Sequence, residues 1–145
     1  MIYNKETDAL FQELKKSNIK DFLANNPQEV NQLKLSNYLE LLLEQKQLNK
    51  ADVVANSCLD STYAYHILAG RKNPSRHKII ALALAMGLSL DETQHALQYA
   101  NEGILYPRNS WDAIIIFAIE HKQSVVETDV LLEAAGETLF LANKK

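Results

Sequence analysis

The sequence of 145 residues predicts an all-α fold, and three observations lead to this prediction. Apolar residues recur at helical spacing along most of the chain, and no run alternates apolar and polar residues between strand-like flanks. Only 4 glycines and 3 prolines occur, which disfavours a turn-rich β architecture. Apolar residues make up 47% of the chain, and a chain of this length and composition can bury a core of its own.

The helical signal is weakest at the N-terminus. Apolar clusters there are interrupted at Asn25, Asn26 and Pro27, so residues 1–34 are predicted to form a helical extension of two or three short helices. Clearer helices are predicted at about 36–47, 50–57, 61–69, 75–86, 90–100, 110–121 and 125–135.

Residue types that favour helix ends justify these boundaries. Ser36 is the predicted N-cap of the first clear helix, and either Asp60 or Ser61 caps the helix that begins near 61. Gly70 stands where a left-handed residue closes a helix, and Gly87 ends the helix predicted over 75–86.

The C-terminal half contains an internal repeat. Residues 75–102 align without a gap on residues 110–137, and ten of the 28 pairs are identical. Both copies include a Ser-x-x-Glu capping box, Ser89 with Glu92 and Ser124 with Glu127. Residues 103–145 are therefore predicted as a C-terminal helical hairpin that repeats the 75–102 unit. Its run Ala113–Ile119 is apolar on all sides and is expected to be buried on most faces.

Charge is distributed unevenly. Residues 50–78 hold five cations against two acids, whereas residues 79–143 carry a net charge of −7. A basic window in an acidic chain is a candidate surface for phosphate, although scattered surface charge remains the alternative. The single cysteine, Cys58, and the lack of an export or membrane signal favour a cytoplasmic protein with no membrane partner.

Signals for catalysis are weak. The four histidines have no metal-ligand spacing, and four scattered glycines cannot build a phosphate loop. Cys58 is predicted as a small buried apolar residue rather than a nucleophile. We therefore expect no enzyme, no metal site and no cofactor.

The segment from 48 to 74 is the most informative. Two short helices joined by a tight turn and followed by a basic strip are typical of a DNA-reading helix-turn-helix, although a plain helical hairpin has the same pattern. On the second helix Ala64, Ile67 and Leu68 form the core face. The opposite face carries side chains that can hydrogen-bond to base edges, namely Ser61, Thr62, Tyr65 and His66.

Two motifs resemble a known family. Gly70-Arg71-Lys72-Asn73-Pro74-Ser75 and Met86-Gly87-Leu88-Ser89-Leu90-Asp91-Glu92 are similar to the helix-turn-helix domain of the XRE family, the phage Cro and cI repressor type. The resemblance implies a lambda-repressor-like domain of five helices over residues 35–102. It implies that Ser61, Thr62, Tyr65 and His66 read DNA bases, and that phosphates are held by Lys50, Arg71, Lys72 and Arg76.

The sequence departs from the family pattern at several positions. Lys50 replaces a frequent glutamine, Val54 a small alanine and Leu68 a glutamate. Cys58 stands in place of the turn glycine, so the turn is expected to avoid a positive φ.

Two functions follow as expectations. The first is a sequence-specific transcriptional regulator that binds double-stranded DNA as a homodimer, with the acidic hairpin as dimer or effector module. The alternative is a non-catalytic adaptor on a helix-turn-helix scaffold, which binds a protein partner through that hairpin. Residues 105–109 and the run after Asp112 also resemble a set of small bacterial proteins, some encoded near protein kinases, which implies a kinase or other signalling partner.

Overall fold

The computed structural model describes residues 34–141 of the chain. Backbone contacts divide the chain into two units, Met1–Lys34 and Leu35–Lys145. The predicted N-terminal extension falls in the first unit, and apart from Lys34 it lies outside the described residues. Within 34–141 the protein is all-helical, as predicted, and contains no strand. Its helices are α1 (Leu35–Gln45), α2 (Lys50–Asn56), α3 (Ser61–Leu68), α4 (Arg76–Met86), α5 (Leu90–Tyr99), α6 (Ser110–Glu120) and α7 (Val125–Ala134).

The helices pack around one core. Helix α1 contacts α3 and α5, and α4 lies against α2 and α5. Seven of the eleven residues of α4 are buried, which makes it the central helix of the described region. The hairpin of α6 and α7 packs on α5 and α4, so it belongs to the same compact unit as α1–α5 and is not a separate domain.

Local signals set most of the helix ends. Asp60, one of the two predicted caps, accepts the Tyr63 N–H at 3.0 Å and begins α3. Gly70 follows α3 with φ +80°, and a Cβ there would lie 2.8 Å from Ser36 Oγ. The left-handed conformation of Gly70 was predicted correctly. The lack of space for a Cβ beside Ser36 is a second reason why this position holds a glycine. The prediction of Ser36 as an N-cap is wrong, because Ser36 is the second residue of α1.

The two hairpins of the repeat have the same construction. Ser89 with Glu92 and Ser124 with Glu127 both form complete capping boxes. The repeat also extends beyond the aligned residues. Gln94 exchanges two hydrogen bonds with the backbone of Leu105, and Asp129, 35 positions after Gln94, accepts the N–H groups of Phe140 and Leu141. In each unit a polar side chain of the second helix therefore anchors the segment that follows.

Helix α6 is less buried than expected. Phe117 is 48% exposed, and Ile114 and Ile116 are only half-buried. The prediction for Ala113–Ile119 is therefore wrong. In the described region, α5 and α7 are the two helices that make extensive contacts with α6, so part of its surface stays uncovered.

Candidate nucleic-acid interface

Helix α3 packs against the core with one narrow face. Ala64, Ile67 and Leu68 are buried against α1 and α2. The four-residue turn 57–60 joins α2 to α3, and Ser57 closes α2 by donating to the Val54 carbonyl at 2.7 Å. This packing fixes the direction of α3 and leaves its other face outside the core.

The outer face of α3 carries the four predicted base-reading residues. Ser61 and Thr62 are exposed, Tyr65 is 41% exposed and His66 is half-buried. Within residues 34–141, none of these four side chains makes a hydrogen bond or an ion pair. Their donors and acceptors are thus available to a ligand on one helical surface.

Three of the four predicted phosphate-binding cations are accessible. Arg71 and Lys72 are exposed just after α3 and pair with no acid of the described region. Lys50 lies 3.3 Å from Glu40, but both side chains are well exposed. An exposed pair of this kind contributes little energy and exchanges readily for a phosphate.

Arg76 is the exception among the predicted cations. Its Nη1 and Nη2 donate to the two carboxylate oxygens of Asp112 at 3.0 and 2.8 Å. Its Nε and Nη2 also donate to the carbonyls of Gly103 and Ile104. A guanidinium has five N–H donors, and four contacts hold this one inside the chain. The geometry therefore argues against Arg76 as a phosphate contact. Its pairing with Asp112 instead connects α4 to α6.

Asp112 is the partner that sequence reasoning missed. It is 5% exposed and also accepts the Tyr106 N–H at 2.9 Å. Burial alone would raise the pKa of this carboxyl, but the hydrogen bonds from Arg76 and Tyr106 outweigh burial and hold the pKa below its usual value. Arg76 and Asp112 are 36 positions apart in the chain, so no local sequence pattern predicts that they pair.

Two further groups modify the charge near α3. Lys78 lies 4.6 Å from the centre of the Tyr63 ring, a cation–π contact that the sequence did not predict. The capping carboxylate of Asp60 is exposed at the N-terminus of α3 and opposes an approaching phosphate there. The exposed cations Arg71 and Lys72 therefore lie beyond the C-terminal end of α3, whereas the exposed carboxylate of Asp60 lies at its N-terminal end.

The turn before α3 differs from the expectation at Cys58. This residue has φ +62°, so the turn keeps a left-handed backbone without a glycine. Cys58 directly follows Ser57, the C-cap of α2, at the position where a left-handed residue commonly ends a helix. Cys58 is half-buried in the turn, with its thiol 3.8 Å from the Asn56 carbonyl.

A metal-binding cluster and a membrane-spanning helix are both absent from the described region. Residues 34–141 contain no group of three or more His, Cys, Asp or Glu side chains that could hold a metal ion. None of the helices in this range is long and apolar enough to cross a membrane.

Comparison of the chain with protein-family models, with curated proteins and with solved structures gave no significant match.

Proposed function

We propose that the protein is a sequence-specific transcriptional regulator that places α3 in the major groove of double-stranded DNA. The observation that carries this proposal is the open outer face of α3, where Ser61, Thr62, Tyr65 and His66 have no partner within residues 34–141. Arg71 and Lys72 follow this face directly and supply cations for the flanking phosphates.

The proposal includes a homodimer. A helix of eight residues reads only a few base pairs, and a two-fold pair doubles the length of the site. The second copy would dock on the hairpin of α6 and α7, where Phe117 is 48% and Val130 65% exposed. The half-sites would then lie about 34 Å or a multiple of it apart along the duplex.

Sequence preference tests this function. Duplexes enriched from a random pool by the full-length protein would be titrated by fluorescence anisotropy, beside scrambled duplexes, at two salt concentrations. We expect His66→Ala to weaken discrimination at one base pair by about 1–3 kcal/mol. We expect Arg71→Ala to weaken binding to every duplex and to lower the salt slope by about one. Equal binding of enriched and scrambled duplexes would refute the proposal.

A second candidate function is a protein-interaction adaptor, and one feature favours it. An open apolar groove of about 450 Å³ runs along the C-terminal hairpin between Phe117 and Leu131. The exposed acids Glu120, Glu127 and Glu133 belong to the same hairpin, so a partner with an apolar, basic helix would fit it. A monomer in sedimentation equilibrium, together with duplex binding that lacks sequence preference, would favour the adaptor over the regulator.

A further inference from the structure

A cleft lies beside the turn that precedes α3. Its volume is about 360 Å³, within the range of about 300–1,000 Å³ that small-molecule sites occupy. Three parts of the chain form its walls. They are the turn 57–60 with Tyr63, the first turns of α4 with Lys78 and Ala81, and the C-terminal residues Phe140 and Leu141.

The C-terminal wall is anchored rather than loosely placed. The carboxylate of Asp129, 6% exposed, accepts the Phe140 N–H at 2.7 Å and the Leu141 N–H at 3.0 Å. The Phe140 ring also lies 5.6 Å from Trp111, and the Trp111 indole donates to the Thr138 carbonyl. These contacts hold Phe140 and Leu141 in place as one wall of the cleft.

The cleft has an apolar body and one cation without an acid partner. Tyr63, Phe140 and His77 supply aromatic surface, while Leu59, Ala81 and Leu141 supply aliphatic surface. Burial, helped by the nearby Arg76, lowers the pKa of His77, which favours its neutral form. Lys78 contacts the Tyr63 ring and pairs with no acid of the described region. Asp60 also lines the cleft; its carboxylate accepts the Tyr63 N–H as a helix cap and forms no ion pair with Lys78. An anionic group on a ligand would therefore be met by Lys78.

We propose that this cleft binds a small aromatic carboxylate, with its ring between Tyr63 and Phe140 and its carboxylate on Lys78. The chemistry of the walls selects this class, because aromatic faces take a flat apolar body and an unneutralised ammonium takes an anion. The site is independent of the DNA-binding proposal, since neither its walls nor its test requires DNA.

The test uses indole-3-acetate as the probe and ¹⁵N-labelled full-length protein observed by NMR. We expect saturable amide shifts at Cys58, Tyr63, Lys78 and Leu141. The neutral amide, indole-3-acetamide, should bind about tenfold more weakly because it lacks the charge that Lys78 meets. No saturable shift at millimolar indole-3-acetate, or equal affinity for the acid and the amide, would overturn the proposal.

Two variants locate the site. Lys78→Gln should weaken indole-3-acetate about tenfold, and Lys72→Gln, which removes an exposed cation outside the cleft, should leave its affinity unchanged. Phe140→Ala removes one aromatic wall, and it should weaken the acid and the amide alike. Equal losses in Lys78→Gln and Lys72→Gln would mean binding by net charge alone and would contradict the assigned cleft.

Discussion

At the scale of single residues, two features matter most: the left-handed turn residue Cys58 and the pairing of Arg76 with the buried Asp112. Cys58 holds a left-handed backbone that side-chain-bearing residues rarely adopt. Arg76, 23% exposed, is tied to Asp112 and to two carbonyls, which removes it from the basic surface near α3. The first feature costs stability, and the second joins the C-terminal hairpin to α4.

Replacing Cys58 by glycine should stabilise the protein. Glycine adopts φ +62° without the Cβ clash, and we expect the free energy of unfolding to rise by about 0.5–1 kcal/mol. Urea denaturation of Cys58→Gly measures the change. Ala55→Gly, in the exposed part of α2, is the matched control and should lower the free energy of unfolding by about 1 kcal/mol. A loss of stability in both variants would contradict the strained turn.

The pairing of Asp112 with Arg76 predicts an acid-dependent loss of stability. The pKa of Asp112 lies below its ordinary value of 3.8 in the folded chain. The unfolded chain therefore takes up the proton first as pH falls, so the stabilisation is complete above the ordinary value and is lost as pH drops through the folded pKa. Thermal unfolding between neutral pH and the acid range measures it.

The matched variants are Asp112→Asn and Arg71→Ala. Asp112→Asn should lower stability at neutral pH and flatten the acid limb, whereas Arg71→Ala, an exposed cation without an acid partner in the described region, should leave the pH profile unchanged. If stability falls with acid pH in the same way in Asp112→Asn and in the parent chain, another carboxyl causes this loss of stability.

At the scale of helices, the repeat shows which parts of the fold a sequence reveals. The capping boxes of α5 and α7 were predictable because their partners lie three residues apart. The anchors at Gln94 and Asp129 were not, since each joins a helix to a segment 11 or 12 residues later. The exposure of Phe117 could not be predicted either, because it depends on which helices pack against α6. The apolar pattern within α6 does not show which helices those are.

The two capping boxes should contribute equally if the hairpins are true structural repeats. Ser89→Ala and Ser124→Ala each remove a side chain that accepts an N–H of the first turn, and each should cost about 1 kcal/mol. Denaturant melts of the two variants and of the double variant give the comparison. An effect confined to one hairpin would mean that the shared sequence does not reflect shared energetics.

At the scale of the whole described region, the outer face of α3 is distinct from the packed body that holds it. The outer face of α3 was predictable from sequence, because helical spacing separates Ala64, Ile67 and Leu68 from the polar side chains around them. The extent of the basic surface could not be predicted from sequence, because the pairing of Arg76 with Asp112 depends on tertiary packing. The lambda-repressor-like arrangement implied by the sequence motifs remains a prediction.

The account rests on contact between α3 and DNA, and an NMR titration tests it most directly. A duplex enriched from a random pool would be added to ¹⁵N-labelled full-length protein. The account predicts the largest amide shifts at Ser61, Thr62, Tyr65 and His66, with further shifts at Arg71 and Lys72. Shifts centred on α6 and α7, or no shifts for any enriched duplex, would contradict it.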